Sequence, residues 1–280
     1  MKDYCEIKDG ILDLKDAPLK NVGNKEFWSQ RALRKVVIPE GIEHIGDWAF
    51  AKCINLETVE FADGFRPGLF GRDVFKGCES LKSVSFTGMD ETTALFLALC
   101  ANRLPYDHLI RSDDVGKKSW YEKWDISLVA KLKSDDAEAK MSAALCGEED
   151  ISYDGIGSVD GEMPGESADY VSKEEYNKSA LCYIRLAHDR YLSENVRGLI
   201  EDHIRRNRFD NGSGSSFFAI FEECGSNISY LQTYLDITDP DKDAIAAMTD
   251  ALSPSEVVAR SYLIGRASDA AGNGLDDLML

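Results

Sequence analysis

The residues that could do chemistry in this chain are few and poorly spaced for it. Asp150-x-Ser152-x-Asp154-Gly155 opens like a calcium loop, with Ser158 at the ninth position. Gly157 stands at the eighth, where a hydrophobe belongs, and Gly161 at the twelfth, where a bidentate glutamate is required; Glu162 arrives one residue late. The stretch therefore reads as a solvated loop. His44, His108, His188 and His203 form no H-x-x-x-H or H-E-x-x-H pair, so a zinc site would need convergence in space. The seven cysteines (Cys5, Cys53, Cys78, Cys100, Cys146, Cys182, Cys224) are odd in number and lack C-x-x-C spacing, which reads as buried free thiols in a reducing compartment. Cys182 or Cys224 with His188 or His203 is one nucleophile pair the composition permits, but no nucleophile motif surrounds either cysteine. The basic run from His203 to Arg208 complements the carboxyl end of a helix and needs no ligand. P-loop, G-x-G-x-x-G and G-x-S-x-G patterns are all missing. No cofactor and no metal is expected.

Charge divides the chain where chemistry does not. The formal net charge is -18. Residues 1–88 hold 13 Lys+Arg against 14 Asp+Glu, and the remainder holds 19 against 36. This places a boundary near Gly88, with an acidic second part that repels a phosphate backbone, so nucleic acid is a poor partner. No apolar run reaches the length of a membrane span, and the stretch Met1 to Glu6 does not resemble a signal peptide; the expected location is cytoplasmic.

The elements that must position any functional surface begin with a repeat. Ile45-Gly46, Phe50, Cys53 and the triplet Leu56, Val59, Phe61 recur 25 residues later as Phe70-Gly71, Phe75, Cys78 and Leu81, Val84, Phe86. An upstream copy, offset by 23, reads Val22-Gly23, Phe27, then Leu33, Val36, Ile38, with Gln30 in place of the cysteine. This period with L-x-x-L-x-L spacing is the signature of a leucine-rich repeat. The phrase LRKVVIPEGIEHIGDWAFAKCINLETVEF resembles the BspA-like leucine-rich repeats of bacterial proteins, over about residues 22–88. Ile38-Pro39, Ile42, Ile45-Gly46, Ala49-Phe50, Cys53 and Leu56 carry the likeness. The resemblance implies a β-rich solenoid used for protein contacts, often at the cell surface.

The expected fold class is α+β: a short leucine-rich-repeat solenoid over 1–88, then an acidic all-helical domain of stacked hairpins over 89–280. Three parallel strands should centre on Val36, Val59 and Val84, with Phe27, Phe50 and Phe75 stacked inside. Tyr4 to Leu14, with its Lys8-Asp9-Gly10 turn, reads as a hairpin capping the open end. A buried helix from Thr92 to Leu104 should close the other end, stopped by Pro105, and Phe65 to Gly68 should be a surface loop. Further helices are expected over Lys117 to Lys133, Asp135 to Cys146, from the capping box Ser172-Lys173-Glu174-Glu175 to Arg190, and over Ser193 to Asn207. Apolar segments around Phe217 and Leu231 follow, and then helices opened by Asp239-Pro240 and Ser253-Pro254. The acidic, glycine-rich stretch 147–171 joins these helices as a flexible loop.

The function this predicts is non-catalytic binding of a protein or peptide. The alternative is a hydrolase-like or metal-dependent site in the helical part. Between the core positions of each repeat, Arg34, Lys35 and Val37, then Glu57, Thr58 and Glu60, then Lys82, Ser83 and Ser85 should face outward. Lys35, Thr58, Glu60, Ser83 and Ser85 are the candidate binding residues. Three rungs at about 4.8 Å each are narrow against the roughly 800 Å² per partner of a standard interface, so a partner is expected to touch the helical part as well.

Overall fold

The 23- and 25-residue translations of the sequence become translations in space. In a computed structural model, which describes residues 6–62, 69–101, 103–104, 114–134, 165–210 and 213–276, four short strands pair in parallel. They are β1 (Ile11–Asp13), β3 (Lys35–Ile38), β5 (Thr58–Phe61) and β7 (Ser83–Phe86), in that spatial order. Leu12, Val36, Val59 and Val84 lie in register and are fully buried. A second parallel sheet is made by β2 (Asn21–Val22), β4 (His44–Ile45) and β6 (Leu69–Phe70).

Four strands stand where three are expected. Asp9 and Gly10 do make a tight turn, with φ of 50 and 80, and Lys8 and Ile11 exchange both backbone hydrogen bonds. The strand leaving that turn does not close a separate capping hairpin. Its Leu12 and Leu14 supply the buried positions that Val36 and Ile38 supply one repeat later, so the backbone gains a full parallel ladder with β3. Met1 to Cys5, the start of the expected hairpin, lie outside the described residues. So do Phe65 to Gly68, Asp135 to Cys146 and the calcium-like loop.

Stacked turns join the two sheets, and their side chains fill the space between. Phe27, Phe50 and Phe75 are fully buried and stack at 5.2 and 5.8 Å, as the repeat predicts. Phe61 stacks on Phe86 at 4.8 Å in a parallel column. The cysteines of the repeat have a polar task. Cys53 Sγ donates to the Phe27 carbonyl at 3.1 Å, and Cys78 Sγ to the Phe50 carbonyl at 3.2 Å. Burial pushes both thiols above their ordinary pKa, which keeps them protonated and inert. The turns also bond to one another, Lys25 N–H to the Asp47 carbonyl and Trp48 N–H to that of Arg72. Such close stacking explains Gly46 and Gly71. A Cβ at either would run into the backbone of the turn before it.

Helix α1 (Glu91–Ala101) packs against β7, the last rung, as its apolar sequence predicts. Asp90 caps it through the Thr93 amide at 2.9 Å and the Thr93 hydroxyl at 2.7 Å. Helix α2 (Lys118–Lys133) buries Trp120, Tyr121, Trp124 and Leu128, and Phe96 of α1 meets both tryptophans edge-on. The remaining helices are α3 (Gly165–Ala187), α4 (Glu194–Arg206), α5 (Ser215–Glu222), α6 (Ile228–Thr238), α7 (Lys242–Ala251) and α8 (Val257–Asp276). Consecutive members pack as α3 with α4, α5 with α6 and α7 with α8. Contacts divide the chain into two compact units, Met1–Lys131 with His188–Ser193, and Leu132–Ala187 with Glu194–Leu280. The first unit extends past the charge step at Gly88 to take in α1 and most of α2.

Several helix ends differ from expectation. Ser172-Lys173-Glu174-Glu175 falls inside α3, which begins at Gly165, because the S-x-x-E spacing also fits the i, i+3 face of a continuing helix. Asp241, not Asp239, caps α7, accepting the Ala244 amide at 2.8 Å. Asp239 instead ends α6 in the left-handed conformation with φ 43. Ser253-Pro254 forms a turn one step before α8, with Ser253 Oγ accepting the Ser255 amide at 3.3 Å.

Candidate binding surface

The outward face of the four-stranded sheet is a small polar grid. One row runs Ile11, Lys35, Thr58, Ser83, and the next Asp13, Val37, Glu60, Ser85, each set in register across the strands. All five residues named from the sequence, Lys35, Thr58, Glu60, Ser83 and Ser85, are partly exposed on this one face. Val37 differs. At 6% exposure it is nearly buried between Asp13 and Glu60, although the alternation points it outward.

The lysines, arginine and glutamates of this face pair with one another. Lys35 Nζ reaches diagonally to Glu60 Oε1 at 2.7 Å. Arg34 and Lys82 both approach Glu57 at 3.4 Å, so plus, minus and plus stack across three repeats as the sequence predicts. Each such exposed pair contributes only about 0–1 kcal/mol.

A second surface feature sits on the turns and is invisible to the repeat reading. Trp28 and Trp48 are both partly exposed. Lys25 Nζ lies over both rings, 5.2 Å from Trp28 and 5.1 Å from Trp48. Lys52 covers Trp28 at 5.1 Å, and the Arg72 guanidinium lies over Trp48 at 5.2 Å. The result is an alternating row, Lys52, Trp28, Lys25, Trp48, Arg72. Each exposed cation–π contact adds about 0.5–1 kcal/mol. The tryptophans are 20 residues apart, out of step with the repeat, and every cation but one comes from a different turn than its ring. Only three dimensions bring them together.

The candidates for catalysis are arranged otherwise. Cys182 is fully buried and its thiol pKa is driven up by burial, the reverse of an activated nucleophile. His188 packs its ring 5.4 Å from Phe96. His44 lies in β4, paired to Asn21 and Leu69. His203 Nε2 is 3.4 Å from Ser179 Oγ, and Ser179 Oγ is also 3.4 Å from Ser216 Oγ. Ser179 is completely buried, so its hydroxyl ties α3, α4 and α5 together and offers a substrate no approach. Tyr183 adds to the same knot by donating to the Ser216 carbonyl at 2.6 Å. Among the described residues no cluster of three or more His, Cys, Asp or Glu could hold a metal ion, and no helix is long and apolar enough to cross a membrane.

Set beside known families, the model described as a BspA type leucine rich repeat region (6 copies) matches residues 11–98. Residues 11–98 are BspA-type leucine-rich repeats. The match begins at Ile11, the first residue of β1, and ends within α1, so it includes the first rung that the residue pattern alone assigns to a cap. No curated protein and no solved structure matches the chain. The helices beyond the BspA-type repeats carry no family assignment.

Proposed function

We propose that this chain is a non-catalytic protein- or peptide-binding protein whose BspA-type repeats form a short solenoid and present the strand face to a partner. The observation that supports this reading is the grid of Lys35, Thr58, Glu60, Ser83 and Ser85, five partly exposed polar side chains in register on one sheet. Their backbones are fixed by the ladder, so binding would not have to order them, which is the main cost of recognition by loops. The helical part of the chain is the second candidate surface, because a face four short strands wide falls below a standard interface.

The test is a charge swap. A partner is first isolated by affinity capture with mass spectrometry and its affinity for the purified chain measured. Lys35→Glu combined with Glu60→Lys keeps an ion pair at the same place, so the melting temperature should stay within about 2 °C, the shift expected for well under 1 kcal/mol. Affinity for the partner should fall at least tenfold at moderate salt. Unchanged affinity would move the binding site off the strand face.

A further inference from the structure

The row Lys52, Trp28, Lys25, Trp48, Arg72 balances its charge differently from the strand face. There, lysine and arginine meet glutamates. On the turns, Lys25 and Lys52 have no carboxylate partner among the described residues; each ammonium sits on a ring. A ring quadrupole attracts a cation without neutralising it, and leaves the ammonium protons free to donate. The acids of the same turns are occupied elsewhere. Glu26 accepts the Gly23 amide at 2.7 Å, Asp47 accepts the Arg72 amide at 2.9 Å and pairs with its guanidinium at 3.6 Å, and Asp73 faces Lys76 at 3.7 Å. Partly exposed tryptophans beside such cations have the composition of an interface core.

We propose that this row is a docking surface for a short acidic stretch of polypeptide, separate from the strand face and independent of its role. Carboxylates of the partner would bridge the Lys25 and Lys52 ammonium groups, with the chain lying along the exposed edges of Trp28 and Trp48. The row touches three stacked turns, about 10 Å apart from first to third at strand spacing, so a peptide following it needs at least about three extended residues. Glutamates at alternate positions would then lie on the row side together. A long polyanion fits less well. The net charge of -18 repels it beyond the contact itself, whereas a short acidic stretch presents its charge within one Debye length, about 8 Å, of the lysines.

The experiment titrates the full chain with an acetylated and amidated Glu-Ala-Glu-Ala-Glu-Ala-Glu peptide, by calorimetry at physiological ionic strength. Lys25 and Lys52 have φ of 53 and 59, so their charges are best removed with asparagine, which tolerates that conformation. Saturable binding is expected, weakened at least tenfold by Lys25→Asn with Lys52→Asn and by Trp28→Ala, with the melting temperature of the asparagine variant lowered by only the few degrees that losing three cation–π contacts costs. The strand-face swap of Lys35 and Glu60 should leave this affinity intact, so that failure of either surface is seen separately. Absence of saturation, equal affinity in the asparagine variant, equal binding of the lysine–alanine peptide of the same pattern, or tighter binding of heparin or a single-stranded oligonucleotide would each overturn the proposal.

Discussion

The repeat region and the helical region satisfy their buried backbone groups by different means. In the repeats one bond is used again and again. The turn amides of Lys25 and Trp48 reach the same carbonyl position one turn on, Cys53 and Cys78 reach the phenylalanine carbonyl one turn back, and Phe27, Phe50 and Phe75 stack at the same place. In the helices the described caps differ from one end to the next. Asn227 accepts the Ser229 amide at 2.9 Å, Asp241 the Ala244 amide, and Arg260 donates to the Thr249 and Leu252 carbonyls at the end of α7, both at 2.8 Å. A fault in a ladder is felt by both neighbours. A fault in a cap should stay where it is made.

The strongest way to break this contrast is Phe50→Ala. Phe50 sits between Phe27 and Phe75 with no exposure, so truncation should cost about 3–5 kcal/mol in urea unfolding. Phe27→Ala, at the end of the same stack, should cost less. Equal losses at the two positions would mean that the stack is not cooperative. Next in size are the caps. Asp241→Ala should cost about 0.5–2 kcal/mol and change hydrogen exchange only around α7, whereas exchange in both flanking turns should rise in Phe50→Ala.

Asp90 sharpens the comparison, since it caps the helix that packs on the last rung. The hydroxyl and amide of Thr93 hold its carboxyl below the ordinary 3.8. A depressed pKa in the folded state adds stability above pH 3.8 that is lost as pH falls below it. The stability difference between the native chain and Asp90→Asn should therefore be largest near neutrality and shrink on acidification toward pH 2.5. A difference independent of pH would remove the charge from the explanation. The smallest effect belongs to Lys35 and Glu60. A double-mutant cycle should give about 0.2–1 kcal/mol of coupling, falling as salt rises.

The same contrast decided what could be read in advance. Phe27, Phe50 and Phe75 were legible because a core position repeated at 23 and 25 residues has one geometric meaning. The first rung was not, since Asp9-Gly10 signals a hairpin locally and only pairing with β3 shows that Leu12 continues the array. In the helices, local signals located the segments well. α2 and α4 begin within a residue of their expected starts, yet the caps slipped at Asp239, where Asp241 two residues on is a second acceptor, and at Ser253, whose hydroxyl closes a turn ahead of the helix. Of the surface, Lys35, Thr58, Glu60, Ser83 and Ser85 followed from alternation. The burial of Val37 did not, because it depends on the flanking Asp13 and Glu60. Trp28 and Trp48 share no repeat position, so nothing along the chain links them.

One further consequence lies in the turns. Asn24 Oδ1 accepts the Asp47 amide at 2.9 Å, and Asp47 Oδ1 accepts the Arg72 amide at the same distance. Each turn thus offers an acceptor that the next turn needs. Arg72 occupies that position in the third turn, and a guanidinium only donates. A further copy stacked there would leave that amide to solvent, since these turn bonds lie at the exposed surface. Arg72 therefore withholds one inter-turn bond from any further copy, and an asparagine or aspartate at position 72 would restore it.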